Sequence, residues 1–336
     1  MKLTFQQSVD LAASGLQAAG IDTKSAYETA QFLALAEADG LASHGLARVA
    51  QYAGHAQSGR IALKASPRVQ MYKSSAALVD ARDGLAFPAL RFATDLSVNL
   101  AANFGIGIVA VKNSHHFGVA GHYTEAAARA GYISLLLGNT PAAMPMAGGS
   151  KAIFGTNPLA AAFPVPHGDP LVIDMSLSAV ARGKLLVAAK KGEAIPEGWA
   201  LTADGKPTTD PQAGLKGLMV PLGGDKGALL ALVIELLVVG LSGSRFSYEA
   251  DSFFNAKGNR PRIGQLLITI DPGLAGKGVF QGRMNDFIAE LAQDRAVRLP
   301  GQRRFSLRAT AFLDGSVVPD ALFDEIQAGI QQSWKT

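Results

Sequence analysis

Gly105-Ile106-Gly107-Ile108-Val109-Ala110-Val111-Lys112-Asn113-Ser114-His115-His116-Phe117-Gly118 decides the fold class of this chain. Its first part, Ile106 to Val111, is an apolar β-branched run that reads as a buried strand. Its second part is a polar loop. Outward from it, Leu90 to Asn103 and Tyr123 to Ala130 have helical periodicity, and Gly131 ends the latter. Ala76 to Asp80 and Ile133 to Leu137 read as strands. The resulting βαβαβ succession predicts an α/β layer structure. Further strands are predicted at Leu159 to Phe163, Leu171 to Ile173 and Leu266 to Ile270.

Both ends of the chain read as helical. Thr4 and Gln7 have capping-box spacing, Phe5, Val9, Ala12, Leu16 and Ala19 follow one face, and Gly20 stops the run. A second helix is predicted from Ser25 to Asp39, and a third begins within Leu41 to His55. Near the other end, Arg283 to Gln293 and Pro319 to Trp334 are helical, with Pro319 suited to a first helical position. The expectation is a discontinuous helical domain, 1–73 with 279–336, beside an α/β body at 74–278 that binds cofactor and substrate. Ala228 to Leu241 is the most apolar stretch. It carries Glu235 and is too short to span a bilayer, so it reads as a buried helix.

The chain has 336 residues, 48% hydrophobic and 17% charged, enough for about two domains with well-filled cores. It has no cysteine, which excludes disulfides, thiolate zinc sites, iron–sulfur clusters and a cysteine nucleophile, and fits a reducing cytoplasm. No metal site is expected. The net charge of +4 is spread without a basic stripe, so no nucleic-acid partner is expected. The first residues lack the apolar core of a signal peptide, and no membrane association is expected.

Two histidine motifs carry the chemistry. In Ser43-His44-Gly45-Leu46-Ala47-Arg48, a helical path puts His44 and Arg48 on one face. That pairs a proton donor with a guanidinium able to grip a carboxylate, and Ser43 can orient the imidazole. A helix-start serine beside solvated side chains gives the same letters. His115-His116 lies between a strand end and a helix start, where α/β sheets bind ligands, although a histidine bonded to loop backbone also fits. Gly155-Thr156-Asn157-Pro158 is a turn whose Thr156 can meet substrate or serve the turn alone. Asp174 follows an apolar strand and can bond a cofactor hydroxyl or cap a helix. Gly223 to Gly227, with Lys226, opens a helix and suits a phosphate, or is a connector. Arg303 and Arg304 suit the 2′-phosphate of NADP, or are surface charge. Gly105-Ile106-Gly107 lacks the third glycine and precedes a strand, so it is no Rossmann turn.

In order along the chain, Glu37-Ala38-Asp39 with Ser43-His44-Gly45, Ser114 to Gly118, Gly155 to Pro158, Asp174-Met175-Ser176, Arg182-Gly183-Lys184, Gly224 to Gly227 and Arg298 to Gly301 resemble the type 2 malate/L-lactate dehydrogenase family. The resemblance covers nearly the whole chain. It implies a homodimer with a non-Rossmann, mixed-sheet α/β fold that reduces a small 2-oxo or 2-imino acid. It further implies His44 as proton donor with Ser43 its partner, Arg48 as carboxylate clamp and Thr156 against substrate. His116, Phe117, Gly118, Val119, Ala120, Asp174, Met175, Ser176, Asp225, Lys226, Arg298, Gly301, Arg303 and Arg304 would line the cofactor, with His116 the rival acid/base. NADPH is the implied cofactor, with NADH as the alternative.

Gly84 to Ala89, Phe246 to Phe254 and Gly264 to Leu266 look most like the branch that reduces cyclic ketimines, Δ1-piperideine-2-carboxylate and Δ1-pyrroline-2-carboxylate, to L-pipecolate and L-proline. Lys184 departs from it, standing where some ketimine reductases carry an aspartate in the proton relay. A cyclic imino acid has one carboxylate, for Arg48, whereas malate needs a second fixed cation that the sequence does not identify. A cyclic-ketimine reductase is therefore the first expectation and a malate- or lactate-type 2-hydroxy-acid dehydrogenase the second. A catalytically silent dimeric binding protein is the third.

Overall fold

The computed structural model describes residues 1–334. Thr4 and Gln7 form the expected reciprocal cap of helix α1 (Phe5–Ala18), and Asp22 caps α2 (Thr23–Ala38). The next segment departs from expectation. Two short 3-10 turns, Ala42–His44 and Leu46–Arg48, flank Gly45 before α3 (Val49–Gln57) begins. His44 and Arg48 therefore share no continuous helix. The break is a docking constraint: Glu37 Oε2 accepts from Leu46 N–H at 3.0 Å, and a Cβ on Gly45 would lie 2.2 Å from that same oxygen. Only glycine lets the turn lie this close to α2.

Seven strands, β1 (Arg68–Lys73), β2 (Ala76–Asp80), β3 (Ile106–Ser114), β4 (Ile133–Gly138), β5 (Leu159–Phe163), β6 (Leu171–Met175) and β7 (Ile263–Ile270), form one mixed sheet in the order β1-β2-β3-β7-β4-β5-β6. Only β2 and β3, joined through α4 (Ala86–Phe104), run parallel to each other as neighbours; the other pairs are antiparallel. The predicted strands are present, but β7 separates β3 from β4. Gly105, at φ 79°, ends α4, and a Cβ on Gly107 would sit 2.2 Å from Ser97 O. These two glycines thus serve helix–strand packing rather than a phosphate turn.

Alternation along the strands feeds two cores. Val109 and Leu136 join one face with Leu16, Leu33, Tyr52, Phe87 and Leu90. Ala110, Leu137 and Leu266 join the other with Leu177, Leu185, Ile234 and Val238. α5 (Ala120–Arg129) follows the histidine loop. The second core is built by α6 (Arg182–Lys191), α7 (Pro211–Lys216), a small three-stranded sheet and α8 (Asp225–Ser242). α8 corrects the buried-helix expectation. Ala231, Ile234, Glu235 and Val238 face inward, but Leu229, Val233, Leu236, Leu237 and Leu241 are exposed. Among the described residues no helix is long and apolar enough to cross a membrane.

α9 (Val279–Leu291), α10 (Gln302–Asp314) and α11 (Asp320–Gln332) complete the chain. α10 was not anticipated. Lys2–Leu3 pairs with Ser316–Val317, and Ile326 of α11 enters the core shared by α1 and α3. Arg308 of α10 donates to both oxygens of Asp39, at 2.6 and 2.9 Å, and to both of Glu125, at 2.6 and 2.9 Å. His122 Nε2 meets Asp39 at 2.9 Å. On this packing we propose that 1–73 and 279–336 act as one helical unit; its residues 335–336 lie outside the described residues.

Glu235 is the polar keystone of the second core. Its carboxylate accepts from Ser247 N–H (2.6 Å), Ser247 O–H (2.7 Å), Asn157 Nδ2 (2.8 Å) and Asn139 Nδ2 (3.3 Å). Glu235→Ala leaves these buried donors unmet, with an expected loss of about 3 kcal/mol read from the urea midpoint, and Glu235→Gln restores part of it. A change below about 0.5 kcal/mol would contradict this role.

Candidate active site

The broken turn presents Arg48 and His44 together. Arg48 Nε donates to Ser43 O at 2.6 Å and Nη1 to Gln51 Oε1 at 2.5 Å; Gln51 in turn donates to Phe253 O at 2.7 Å. Ser43 Oγ lies 3.0 Å from His44 Nδ1. The guanidinium is thus pinned by neutral groups, and no carboxylate touches it among the described residues. His44 stacks near-parallel on His116, ring centroids 5.7 Å apart. Residues brought together from separate motifs therefore form one site.

His116 is held from behind. Its Nδ1 lies 2.6 Å from the hydroxyl of Tyr52, and Gly118 N–H also points at Nδ1, at 3.4 Å. Tyr52 is fully buried, and burial raises its pKa, so the phenol stays protonated. With Nδ1 accepting, the proton of the neutral ring sits on Nε2. A second pair lies deeper. His55 Nε2 lies 3.0 Å from the Asn255 carbonyl and 3.2 Å from Arg60 Nη1. His55 Nδ1 and His115 Nε2 are 3.0 Å apart and share a hydrogen bond. Phe253 packs on both His115 and His116.

All these rings are neutral at pH 7. Burial, then the Arg48 charge, lowers His44 to about 4. Burial, then Arg60, lowers His55 to about 4. Burial also depresses His115 and His116 strongly. The groups that compensate Arg48 elsewhere in proteins, carboxylates, are absent from its contacts, so an arriving anion meets an unpaired, half-buried cation.

The expected cofactor residues fall along one edge. Asp174, on edge strand β6, accepts from Gly121 N–H at 2.7 Å at the start of α5, leaving its other oxygen free for a hydroxyl. Val172 N–H reaches Pro300 O at 3.3 Å, which brings the Arg298–Gly301 turn beside the same strand. Phe117, Val119 and Ala120 are buried in the histidine loop, where Gly118 takes φ 69°. Met175 is exposed, and Ser176 Oγ pairs with Ser178 Oγ at 3.1 Å. Gly223 and Gly224 have open space around them, and Asp225 and Lys226 begin α8 without a side-chain cap. These features fit a dinucleotide: free backbone donors for phosphate, a carboxylate for ribose, and exposed Arg298 and Arg303.

Two expected residues sit differently. Arg304 turns inward on α10, to Glu125 at 2.9 Å and Asp39 at 3.2 Å, so its charge is already matched. Thr156 lies against Thr140, whose Oγ1 accepts from Thr156 N–H at 2.9 Å and lies 3.4 Å from Thr156 Oγ1. Sequence reasoning missed Gln51, Tyr52, His55 and Phe253. A signal existed for the first three: Arg48, Gln51, Tyr52 and His55 follow i, i+3, i+4, i+7 spacing, one polar stripe on an otherwise apolar helix. Phe253 carried no such signal.

The model of the malate/L-lactate dehydrogenase family matches residues 3–327. The chain is 45% identical, over 97% of each sequence, to (2R)-3-sulfolactate dehydrogenase (NADP+) of Chromohalobacter salexigens. It is 36% identical to the Δ1-pyrroline-2-carboxylate/Δ1-piperideine-2-carboxylate reductase of Pseudomonas putida, over 95% of this chain and 94% of the relative. The crystal structure of Δ1-piperideine-2-carboxylate reductase from Pseudomonas syringae superposes with a TM-score of 0.92 at 34% identity, over 98% of this chain and 99% of that one. Sulfolactate dehydrogenase from Methanocaldococcus jannaschii superposes at 0.90 with 31% identity, over 99% and 98%.

The neutral histidines make a stability prediction. Their folded pKa values lie below the unfolded 6.5, so the folded chain binds fewer protons than the unfolded one between pH 6.5 and about 4. Stability is full above pH 6.5 and is lost as pH falls through that window. Melting temperature followed by calorimetry is expected to drop between pH 6.5 and 4.5, and His55→Asn to flatten the drop. A melting temperature constant to pH 4.5 would contradict the buried neutral state.

Proposed function

The chain belongs to the malate/L-lactate dehydrogenase family of NAD(P)-dependent oxidoreductases, and we propose that it interconverts a 2-oxo acid and its 2-hydroxy acid with NADP(H). One observation carries this reading: Arg48, a guanidinium with no carboxylate in contact, stands beside the stacked pair His44 and His116. Arg48 grips the substrate carboxylate. The carbonyl oxygen one carbon away then faces the two rings, where His116 donates from Nε2 and His44 exchanges the proton. A bound nicotinamide supplies or takes the hydride.

The electrostatics supports an oxo rather than an imino substrate. A carbonyl gains negative charge as hydride arrives, and neighbouring cations stabilise it. A ketimine reacts as an iminium cation, which guanidiniums disfavour. The carboxylate of the substrate also alters His44. It offsets the Arg48 charge that helps to hold the ring neutral, so substrate binding raises the proton affinity of His44 and readies it as the acid. His44 takes up the hydroxyl proton in oxidation and returns it in reduction.

Cyclic-ketimine reduction is the second reading. The 36% identical relative and the reductase structure at TM-score 0.92 favour it, as does the apolar wall of Phe253 near His116. NADP preference is proposed from the exposed Arg298 and Arg303, with Arg304 withdrawn, and from the NADP+-dependent sulfolactate relative. A homodimer is proposed from the exposed apolar face of α8, since monomers rarely leave such a patch uncovered.

Following NADPH absorbance with pyruvate, oxaloacetate, 3-sulfopyruvate and Δ1-piperideine-2-carboxylate tests the choice. At least one oxo acid is expected to exceed the ketimine tenfold or more in kcat/KM, and His44→Ala to lose at least about 100-fold in kcat while still binding NADPH. Ketimine turnover with inert oxo acids would install the second reading. NADPH binding without any turnover would instead favour a silent binding protein.

A further inference from the structure

A second guanidinium packs on the same ring as Arg48. Arg182 opens α6, and its guanidinium carbon lies 5.5 Å from the centre of the Phe254 ring; that of Arg48 lies 5.8 Å from the same ring centre. The two carbons are therefore no more than about 11 Å apart. They come from distant parts of the chain, and Phe254 belongs to a third segment. Phe254 follows Phe253, whose ring touches His116 and whose carbonyl accepts from Gln51, the partner of Arg48.

The two cations differ from most other arginines packed into this protein. Arg304 and Arg308 meet Asp39 and Glu125, and Arg260 and Arg262 meet Asp83. Arg60 is wrapped by the carbonyls of Asp251, Ser252, Asn255 and Asn259. Arg182 makes one hydrogen bond, Nη2 to Leu215 O at 2.6 Å, and no acid touches it among the described residues. Burial disfavours its charge, as it does that of Arg48. Holding two such cations near each other, without an acid, costs stability that a bound anion recovers.

We propose that Arg182 binds a second anionic group on the substrate, which makes the preferred 2-oxo acid a short dianion. This rests on the oxo-acid reading above. The upper bound on the separation limits the length. A guanidinium and an oxyanion at N···O of about 2.8 Å have central atoms about 4 Å apart, so a dianion whose charged groups are themselves about 4 Å apart spans about 12 Å when extended. A three- or four-carbon dianion, carboxylate at one end and carboxylate or sulfonate at the other, meets this bound once it bends. Longer diacids must fold to fit. Lys184, two residues on, packs its Nζ over Trp199 at 5.4 Å. Arg182 is thereby a specificity-determining residue, and it supplies the second cation that the sequence left unidentified.

The test compares 3-sulfopyruvate and oxaloacetate with pyruvate in the parent, Arg182→Gln and Arg182→Lys, using NADPH. The parent is expected to favour a dianion over pyruvate at least 30-fold in kcat/KM. Arg182→Gln is expected to erase most of that through KM, leaving pyruvate within about threefold, and Arg182→Lys to recover part. Calorimetric titration of the NADP+-loaded protein with sulfoacetate and with acetate gives a readout without turnover. Sulfoacetate is expected to bind at least tenfold tighter, a difference Arg182→Gln removes. Turnover of oxo acids with no preference for dianions, or with equal losses for pyruvate and dianions in Arg182→Gln, overturns the assignment and leaves the oxo-acid reading intact. Absence of oxo-acid turnover with the sulfoacetate preference retained overturns that reading and leaves Arg182 as an anion site. If Arg182→Gln fails to fold, the parent's preferences and Arg182→Lys still decide.

Discussion

The contact between Arg48 and the carbonyl of Ser43 is the constraint on which the site depends. It fixes a guanidinium beside two imidazoles without giving it an acid. A carboxylate there would have cancelled the charge and left nothing to draw in a substrate. Much of the surrounding structure maintains the arrangement. Glu37 clamps the turn from α2, Gly45 lets it approach, Gln51 holds the far side, and Phe253 closes over His116. Charge that would disturb the site is kept elsewhere: Asp39 and Glu125 are consumed by Arg304 and Arg308.

The histidines follow from the same constraint. Rings that are buried, and near a fixed cation, stay neutral. Neutrality lets the His116 tautomer be assigned from its partner, the tyrosine hydroxyl behind it. A neutral donor at His116 suits a carbonyl oxygen gaining charge. A ring at His44 whose proton affinity rises when an anion binds suits an acid that must not be spent before substrate arrives. The electrostatic and hydrogen-bond parts of the site thus serve one chemistry.

Much of the fold was legible because its signals are local. The capping box at Thr4 and Gln7, the β-branched run after Gly105, and the helix breaks at Gly20 and Gly131 each act within a few residues. Strand order was not legible. β7 lies more than 120 residues beyond β4 and still inserts between β3 and β4, a pairing that no local pattern encodes. The break at Gly45 is decided by Glu37, and the inward turn of Arg304 by acids on α2 and α5, both tertiary choices. The two histidine motifs could be found in the sequence because their residue types are chemical. Their meeting, and the shared ring of Phe254 between Arg48 and Arg182, exist only after folding.

Arg48 and burial together hold His44 neutral, and a bound anion raises its proton affinity. Titrating the His44 ring by NMR, with and without saturating oxamate as an unreactive carboxylate, measures it directly. A midpoint near 4 is expected in the free protein and a clearly higher one when oxamate binds, with the rise lost in Arg48→Met. A midpoint near 6.5 in the free protein, unmoved by oxamate, would contradict it.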